Sequence, residues 1–377
     1  MKFNIPSKAL YNQASMVSRV INSKNAMTIL NNFLFTIEGN TLTITASDVE
    51  NTLSASIEVQ DVEGSGSFCA DAKKIVDLLK ELPDQGISFD VNDTNFSSQI
   101  KSLNGDFNLI GVNGAEYPET VVETNPDETL AFEAPVAQIQ AGLDNTLFAV
   151  GTDEIWPQMM GVYWGIKPES LTFVATDSRK LVKYNDATSR PGIEGSFILP
   201  AKACAILKNI LVKGEEKLKV TLDSKSGTFV MGGARLNCRF IKGTYPDYER
   251  VIPKNNTNVI TVDRLSFLNA VKRVAVFVEQ GHGLIRFMLD QGQITIKAQD
   301  NNLCTSGVET LKCNYDGGKL LIGFGATHLV EIFSTIPTQD VELRLADSSR
   351  PGLFMPSENK ADTELVMLLM PMMVNDF

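Results

Sequence analysis

A strand-and-turn signature occurs three times in this chain. Residues 42–48 read Leu-Thr-Ile-Thr-Ala-Ser-Asp, residues 171–177 read Leu-Thr-Phe-Val-Ala-Thr-Asp, and residues 294–300 read Ile-Thr-Ile-Lys-Ala-Gln-Asp. Apolar positions alternate with mostly polar ones, as in a strand with one buried face, and each run ends in Ala-X-Asp. The closing aspartates Asp48, Asp177 and Asp300 lie 129 and 123 positions apart. A chain of 377 residues that repeats at this spacing is constrained to three copies of one domain. An aspartate found once per copy at a strand end reads as a turn residue that accepts from nearby backbone amides, not as a catalytic acid.

Other features recur in step. An amphipathic helix precedes each signature: about 7–21 with Leu10, Ala14, Val17 and Ile21 on one face, about 135–149 with Ile139, Leu143 and Leu147, and about 263–277 with Leu268, Val271 and Ala275. A second helix follows at 71–82, 200–211 and 326–336, with Asp71 and Pro200 at N-cap or first-turn positions. The pairs Tyr117-Pro118 and Tyr245-Pro246 each precede a polar connector, at 124–128 and 253–258. The expected domains are therefore 1–126, 127–254 and 255–377. The class is α+β, with two helices covering a sheet in each domain.

The net charge of −11 argues at first sight against nucleic acid as a partner. Its distribution reverses that. The six helical windows hold ten basic and six acidic residues, so the acidic excess lies entirely outside them. On the first helix Lys8, Asn12, Ser15 and Arg19 step along the face opposite the apolar stripe, and Lys73, Asp77 and Lys80 do the same on the second. Polar, modestly basic helix faces suit loose contact with phosphates, which gives affinity without reading sequence. The plainer alternative is a set of ordinary solvated faces.

Catalytic signatures are absent from the sequence: there is no G-x-x-x-x-G-K-[ST], no G-x-G-x-x-G after a strand and no H-E-x-x-H. The two histidines, His282 and His328, accompany no nucleophile motif, and His328 reads as a satisfied surface residue at a helix start. The five cysteines are scattered without a C-x-x-C pair, which suggests reduced packing residues with no metal or cofactor site. No signal segment is apparent at the N-terminus, and the apolar run 365–374 is too short to span a bilayer and contains Pro371. A cytoplasmic protein is expected.

Several segments resemble one family. Met1-Lys2-Phe3, the segments 17–21 and 29–33, Val-Ala-Thr-Asp-Ser-Arg-Lys-Leu at 174–181, Tyr-Pro-Asp-Tyr-Glu-Arg-Val-Ile-Pro at 245–253 and the closing Met370-Pro371-Met372 are similar to the bacterial β sliding clamps, the β subunits of DNA polymerase III holoenzyme. The likeness runs the length of the chain. It implies three domains of the DNA-clamp type and a head-to-tail homodimer. Six domains would ring a central hole lined by twelve helices, with a continuous sheet outside. Such a clamp encircles duplex DNA without sequence specificity and tethers the replicative polymerase subunit. It also meets a clamp loader and other clamp-motif proteins, and is itself not an enzyme.

From the basic helix windows the expected DNA-facing residues are Arg19, Lys73, Lys80, Lys202, Lys208, Lys272 and Arg273, and the resemblance adds Lys24 in the loop after the first helix. By the same resemblance, Phe107 and Leu109 would meet Val276 and Phe277 of the partner copy at the dimer interface. The partner-peptide pocket would be walled by Met159, Thr176, Leu181, Pro246, Arg250, Val251, Leu368, Met370, Pro371 and Met372, with Ser178, Arg179 and Lys180 at its rim. Many members have Gly-His-Arg where this chain has Ser178-Arg179-Lys180, and many end in Met-Arg-Leu where Met373 and Val374 follow here. The rival reading is a monomeric three-domain scaffold that binds peptides but no DNA. Oligomeric state separates the two.

Overall fold

The computed structural model describes residues 1–22, 25, 27–118, 129–211, 217–278, 283–300 and 302–374. Six helices fall where the periodicity places them: α1 (Ser7–Val17), α2 (Ala72–Glu81), α3 (Val136–Thr146), α4 (Ala201–Ile210), α5 (Arg264–Val274) and α6 (Ala326–Thr335). The first helix of each repeat tightens into a 3-10 turn at its end (Ser18–Val20, Leu147–Ala149, Ala275–Phe277), so the expected windows run one turn beyond the α-helix. On α1 the stripe Leu10, Ala14 and Val17 is buried as the spacing requires. Asp71 and Asp263 cap α2 and α5, their carboxylates accepting from the N–H groups of Lys74 and Ser266.

The order strand–helix–strand–strand–strand occurs twice in each repeat, once around each helix. Contacts then group the chain into two compact units that cut across the middle repeat: Met1–Val136 with Lys202–Phe240, and Ala137–Ala201 with Ile241–Phe377. The reason is strand pairing. In the first unit, strand Asn51–Glu58 of repeat one pairs with Ala234–Arg239 of repeat two, which fuses the halves into one nine-stranded sheet. In the second, Lys180–Asp186 of repeat two pairs with Thr363–Leu369 of repeat three inside an eight-stranded sheet. A five-stranded sheet completes the first unit and a four-stranded sheet the second, all pairings being antiparallel.

Aromatic rings fill the interiors. Phe3 stacks on Phe89 and Phe35 on Phe68 in the first unit, with ring centroids 4.8 and 5.0 Å apart. In the second, Phe267 of α5 stacks on Phe333 of α6 at 4.5 Å and so locks that helix pair together.

The three signature aspartates form one turn. Asp48 Oδ1 accepts from the N–H groups of Glu50 and Asn51, Asp177 Oδ1 from those of Arg179 and Lys180, and Asp300 Oδ1 from those of Asn302 and Leu303, all at 2.7–3.1 Å. The expectation of turn residues is met. Asn92, Asp223 and Asp347 make the same pair of bonds in the second half of each repeat. In two signature turns the residue after the aspartate has left-handed backbone: Val49 at φ 81° and Ser178 at φ 73°.

Candidate functional site

The chain's end builds a cleft in the second unit. Strand Thr363–Leu369 runs in the eight-stranded sheet beside Lys180–Asp186, and Met370 N–H then donates to the Arg179 carbonyl. Two residues on, Met372 N–H donates to Gly323 O of the four-stranded sheet at 2.8 Å. This close approach needs a glycine, because a Cβ at position 323 would lie 2.4 Å from the Val374 side chain. Met370-Pro371-Met372 therefore bridges the two sheets. Beside it opens a cleft of about 670 Å³, lined by Arg179, Gly283, the start of α6 (Gly325 to His328) and the Met-Pro-Met bridge. A second cleft of about 330 Å³ is lined by residues including Thr152, Trp156, Met159, Ser178, Arg179 and His328. Arg179 and His328 wall both.

Behind that shared wall lies a charged cluster. Lys180 is 5% exposed, and its ammonium sits 2.9 Å from both Asp177 Oδ2 and Glu331 Oε2. It is also 3.3 Å from His328 Nδ1. The same ring nitrogen lies 3.4 Å from Glu331 Oε2, so the imidazole joins both the ammonium and the carboxylate in one cluster. Burial opposes the charge on Asp177, but bonds from the Lys180 main chain, its ammonium and the Arg179 N–H outweigh this and hold the carboxyl below its ordinary value.

Two sheet edges form a separate group. Strand Asp106–Leu109 ends the five-stranded sheet and Thr305–Lys312 ends the four-stranded one. Both edges carry bare apolar residues: Leu103 and Ile110 flank the first, while Leu303, Val308 and Val276 accompany the second, Ile110 being 90% and Val276 78% exposed. Phe277 rests on Gly307, where a Cβ would meet its ring at 2.5 Å.

Three family models cover the chain in succession: the DNA polymerase III beta subunit N-terminal domain over residues 1–121, its central domain over 134–247 and its C-terminal domain over 249–373. The chain belongs to the DNA polymerase III beta subunit family. Its relatives include the beta sliding clamp of Synechococcus elongatus, 29% identical over 97% of this chain and 98% of that protein. Another is the beta sliding clamp of Pseudomonas aeruginosa, 26% identical over 97% and 99%. Among solved structures, the sliding clamp of Pseudomonas aeruginosa bound to griselimycin superposes with a TM-score of 0.93 at 26% identity, covering 99% of this chain and all of that one. The expectation of a three-domain sliding clamp is borne out.

Within this beta subunit, the expected pocket residues divide into groups. Met370, Pro371, Met372 and Arg179 line the larger cleft, and Met159, Ser178 and Arg179 the smaller. Lys180 is not at a rim: its charge is buried among two carboxylates and a histidine. Leu181 and Leu368 are core, packed with Val174, Tyr245 and Val366 on the sheet face opposite Lys180, because neighbours along a strand point to opposite sides. Thr176 is buried too, its hydroxyl donating to the Lys180 carbonyl. Pro246, Arg250 and Val251 line neither cleft, and Arg250 pairs with Asp247 at 2.8 Å.

The basic residues divide similarly. Arg19, Lys73, Lys80, Lys208 and Lys272 are exposed. Lys202 is committed elsewhere, its ammonium donating to Asp48 Oδ2 and the Val20 carbonyl, each at 2.6 Å, and to Asn22. Arg273 forms a two-pronged pair with Glu309. Arg264, one of the ten basic helix residues, caps the end of α6 through the carbonyls of Phe333 and Thr338. Lys24 lies outside the described residues, as does His282. Phe107 and Leu109 lie on the first bare edge, and Val276 and Phe277 beside the second.

Sequence reading missed the α6 start and Trp156 as cleft residues. His328 was legible only as the residue three places before Glu331, since its link to Lys180 spans 148 positions. Trp156 is more than half exposed in the Ile155-Trp156 pair, and two large apolar residues side by side in a polar loop were the available signal.

Proposed function

We propose that two copies of this chain, each with domains 1–126, 127–254 and 255–377, close head to tail around duplex DNA in the cytoplasm and hold a polymerase there. The bare edges Asp106–Leu109 and Thr305–Lys312 carry this reading. Inside the chain, the first half of one repeat joins the second half of the next by antiparallel pairing, and these edges belong to the two halves left without such a neighbour. A heterologous contact between different patches closes into a ring only when the rotation fits, and six similar domains supply equal steps of about 60°. Phe107 and Leu109 would then meet Val276 and Phe277 of the partner subunit, pairing edges that would otherwise be an aggregation hazard.

Arg19, Lys80, Lys208 and Lys272 would face the DNA, making contacts weak enough to slide along the phosphates. The acidic remainder of the surface would discourage binding anywhere else. The methionine-walled clefts suit short peptide segments of a polymerase subunit, a clamp loader and other clamp-motif proteins, because thioether side chains adapt to different occupants. A loader would have to open the ring, since the sequence contains no nucleotide-binding loop of its own.

The test is topological. Protein loaded on circular duplex DNA should be retained, and linearising that DNA should release it. Retention that ignores topology rules out encirclement. A monomer of 41.3 kDa in solution at micromolar concentration would favour the rival scaffold.

A further inference from the structure

Two junctions within the chain share one construction. At the first, Asn51–Glu58 pairs with Ala234–Arg239, and at the second, Lys180–Asp186 pairs with Thr363–Leu369. Each junction brings a signature aspartate turn to the start of a second-half helix. Lys202 of α4 reaches Asp48 at the first, and His328 of α6 meets the Lys180 that pairs with Asp177 at the second. The third turn, at Asp300, has no such helix beside it, because Thr305–Lys312 is a free edge.

The corresponding helix is α2. Sheet register makes the match: the residue closing the strand before the helix pairs with the first residue of the repeat's central strand in every copy. These pairs are Asp71 with Asn32, Pro200 with Gly161 and Gly325 with Leu284. Counted from these anchors, Lys73 of α2 stands where Lys202 stands in α4.

We propose that Lys73 of one copy closes on Asp300 of a second copy, remaking across the dimer junction the pair that Lys202 and Asp48 make within a chain. This rests on the head-to-tail reading above and adds a specific latch to it. Asp300 is only 6% exposed, and no lysine or arginine among the described residues pairs with it. A carboxylate so deeply placed is costly without a cation. Lys73 is exposed and makes no ion pair among the described residues. It occupies the first turn of α2, where the helix dipole opposes a positive charge. Lys202 has the same handicap in α4 and is compensated by Asp48. Lys73 therefore belongs to the subunit contact and leaves the DNA-facing set.

A double-mutant cycle tests the latch. Dimer dissociation is measured by sedimentation for the full chain, Lys73→Met, Asp300→Asn and the double variant, with Lys74→Met as a neighbouring control. Asparagine keeps an oxygen for the turn amides while removing the charge. Each single change should weaken the dimer about tenfold or more, the double variant should be no weaker than either, and Lys74→Met should not couple to Asp300. Additive losses, no loss, or coupling to Lys74 overturns the latch while leaving a wild-type dimer standing. A wild-type chain that stays monomeric would instead overturn the head-to-tail reading itself.

Discussion

The Asp48 and Asp177 junctions start from the same turn and finish with opposite arrangements of charge. At Asp48, the cation comes from the neighbouring helix: the Lys202 side chain fills the space between turn and helix and also bonds the Val20 carbonyl. At Asp177, the cation belongs to the turn itself, Lys180, and the helix supplies Glu331 and His328. The helix position matching Lys202 is there Thr327, preceded by Gly325 and Ala326. These short side chains line an open cleft instead of filling it. One exchange of a long residue for a short one separates a structural joint from a candidate binding site. Moving the cation into the turn allows that exchange without leaving the aspartate uncompensated.

The largest expected difference is in stability. Lys180→Met leaves two partly buried carboxylates facing each other without their shared, buried cation and should cost about 3–5 kcal/mol in urea unfolding. Lys202→Met strips one carboxylate of a cation that is itself about a third exposed, and should cost less, about 1–3 kcal/mol. Equal losses would mean that the two junctions do the same job. Acid should weaken the second junction. The Asp177 carboxyl is held below its ordinary value of 3.8. Its contribution is thus fully present above about pH 4, where the unfolded chain is also ionised, and is lost as the pH falls through the lower folded value. Asp177→Asn should remove that acid-side slope, which a pH series of melting curves would show.

Next in size are effects on binding. Thr327→Lys would place in the second junction the side chain that fills the first. It should reduce affinity for a clamp-binding peptide by about tenfold or more, roughly 1.4 kcal/mol, with the melting temperature unchanged. Met370→Ala with Met372→Ala should weaken the same peptide similarly while the dimer survives in sedimentation. If dimer and peptide binding fail together, the methionines are structural.

The smallest contrast concerns the turns themselves. A β-branched Val49 in left-handed backbone is more strained than Ser178 in the same place. Val49→Gly should stabilise the chain by about 1 kcal/mol and Ser178→Gly by roughly half that, after the flexibility glycine adds to the unfolded state. A gain at Ser178 exceeding that at Val49 would show that the cleft-side turn carries the greater strain.

Sequence alone was enough for everything with a short period. Alternation of two and spacing of three and four located strands and helices, and the Ala-X-Asp endings counted the repeats. The aspartate bonds at 48, 177 and 300 close within three residues, so their geometry is local. The Met370-Pro371-Met372 wall was readable through family resemblance. Pairings between distant segments were not readable. That Lys202 answers Asp48 across 154 positions, that Lys180 turns inward while Leu181 joins the core, and that α6 supplies the cleft's far wall depend on which strand lies beside which. The same holds for the division of the middle repeat between two sheets. A strand's side chains alternate whatever its neighbour, but the neighbour decides what each one meets, and that choice is made only when the sheets assemble.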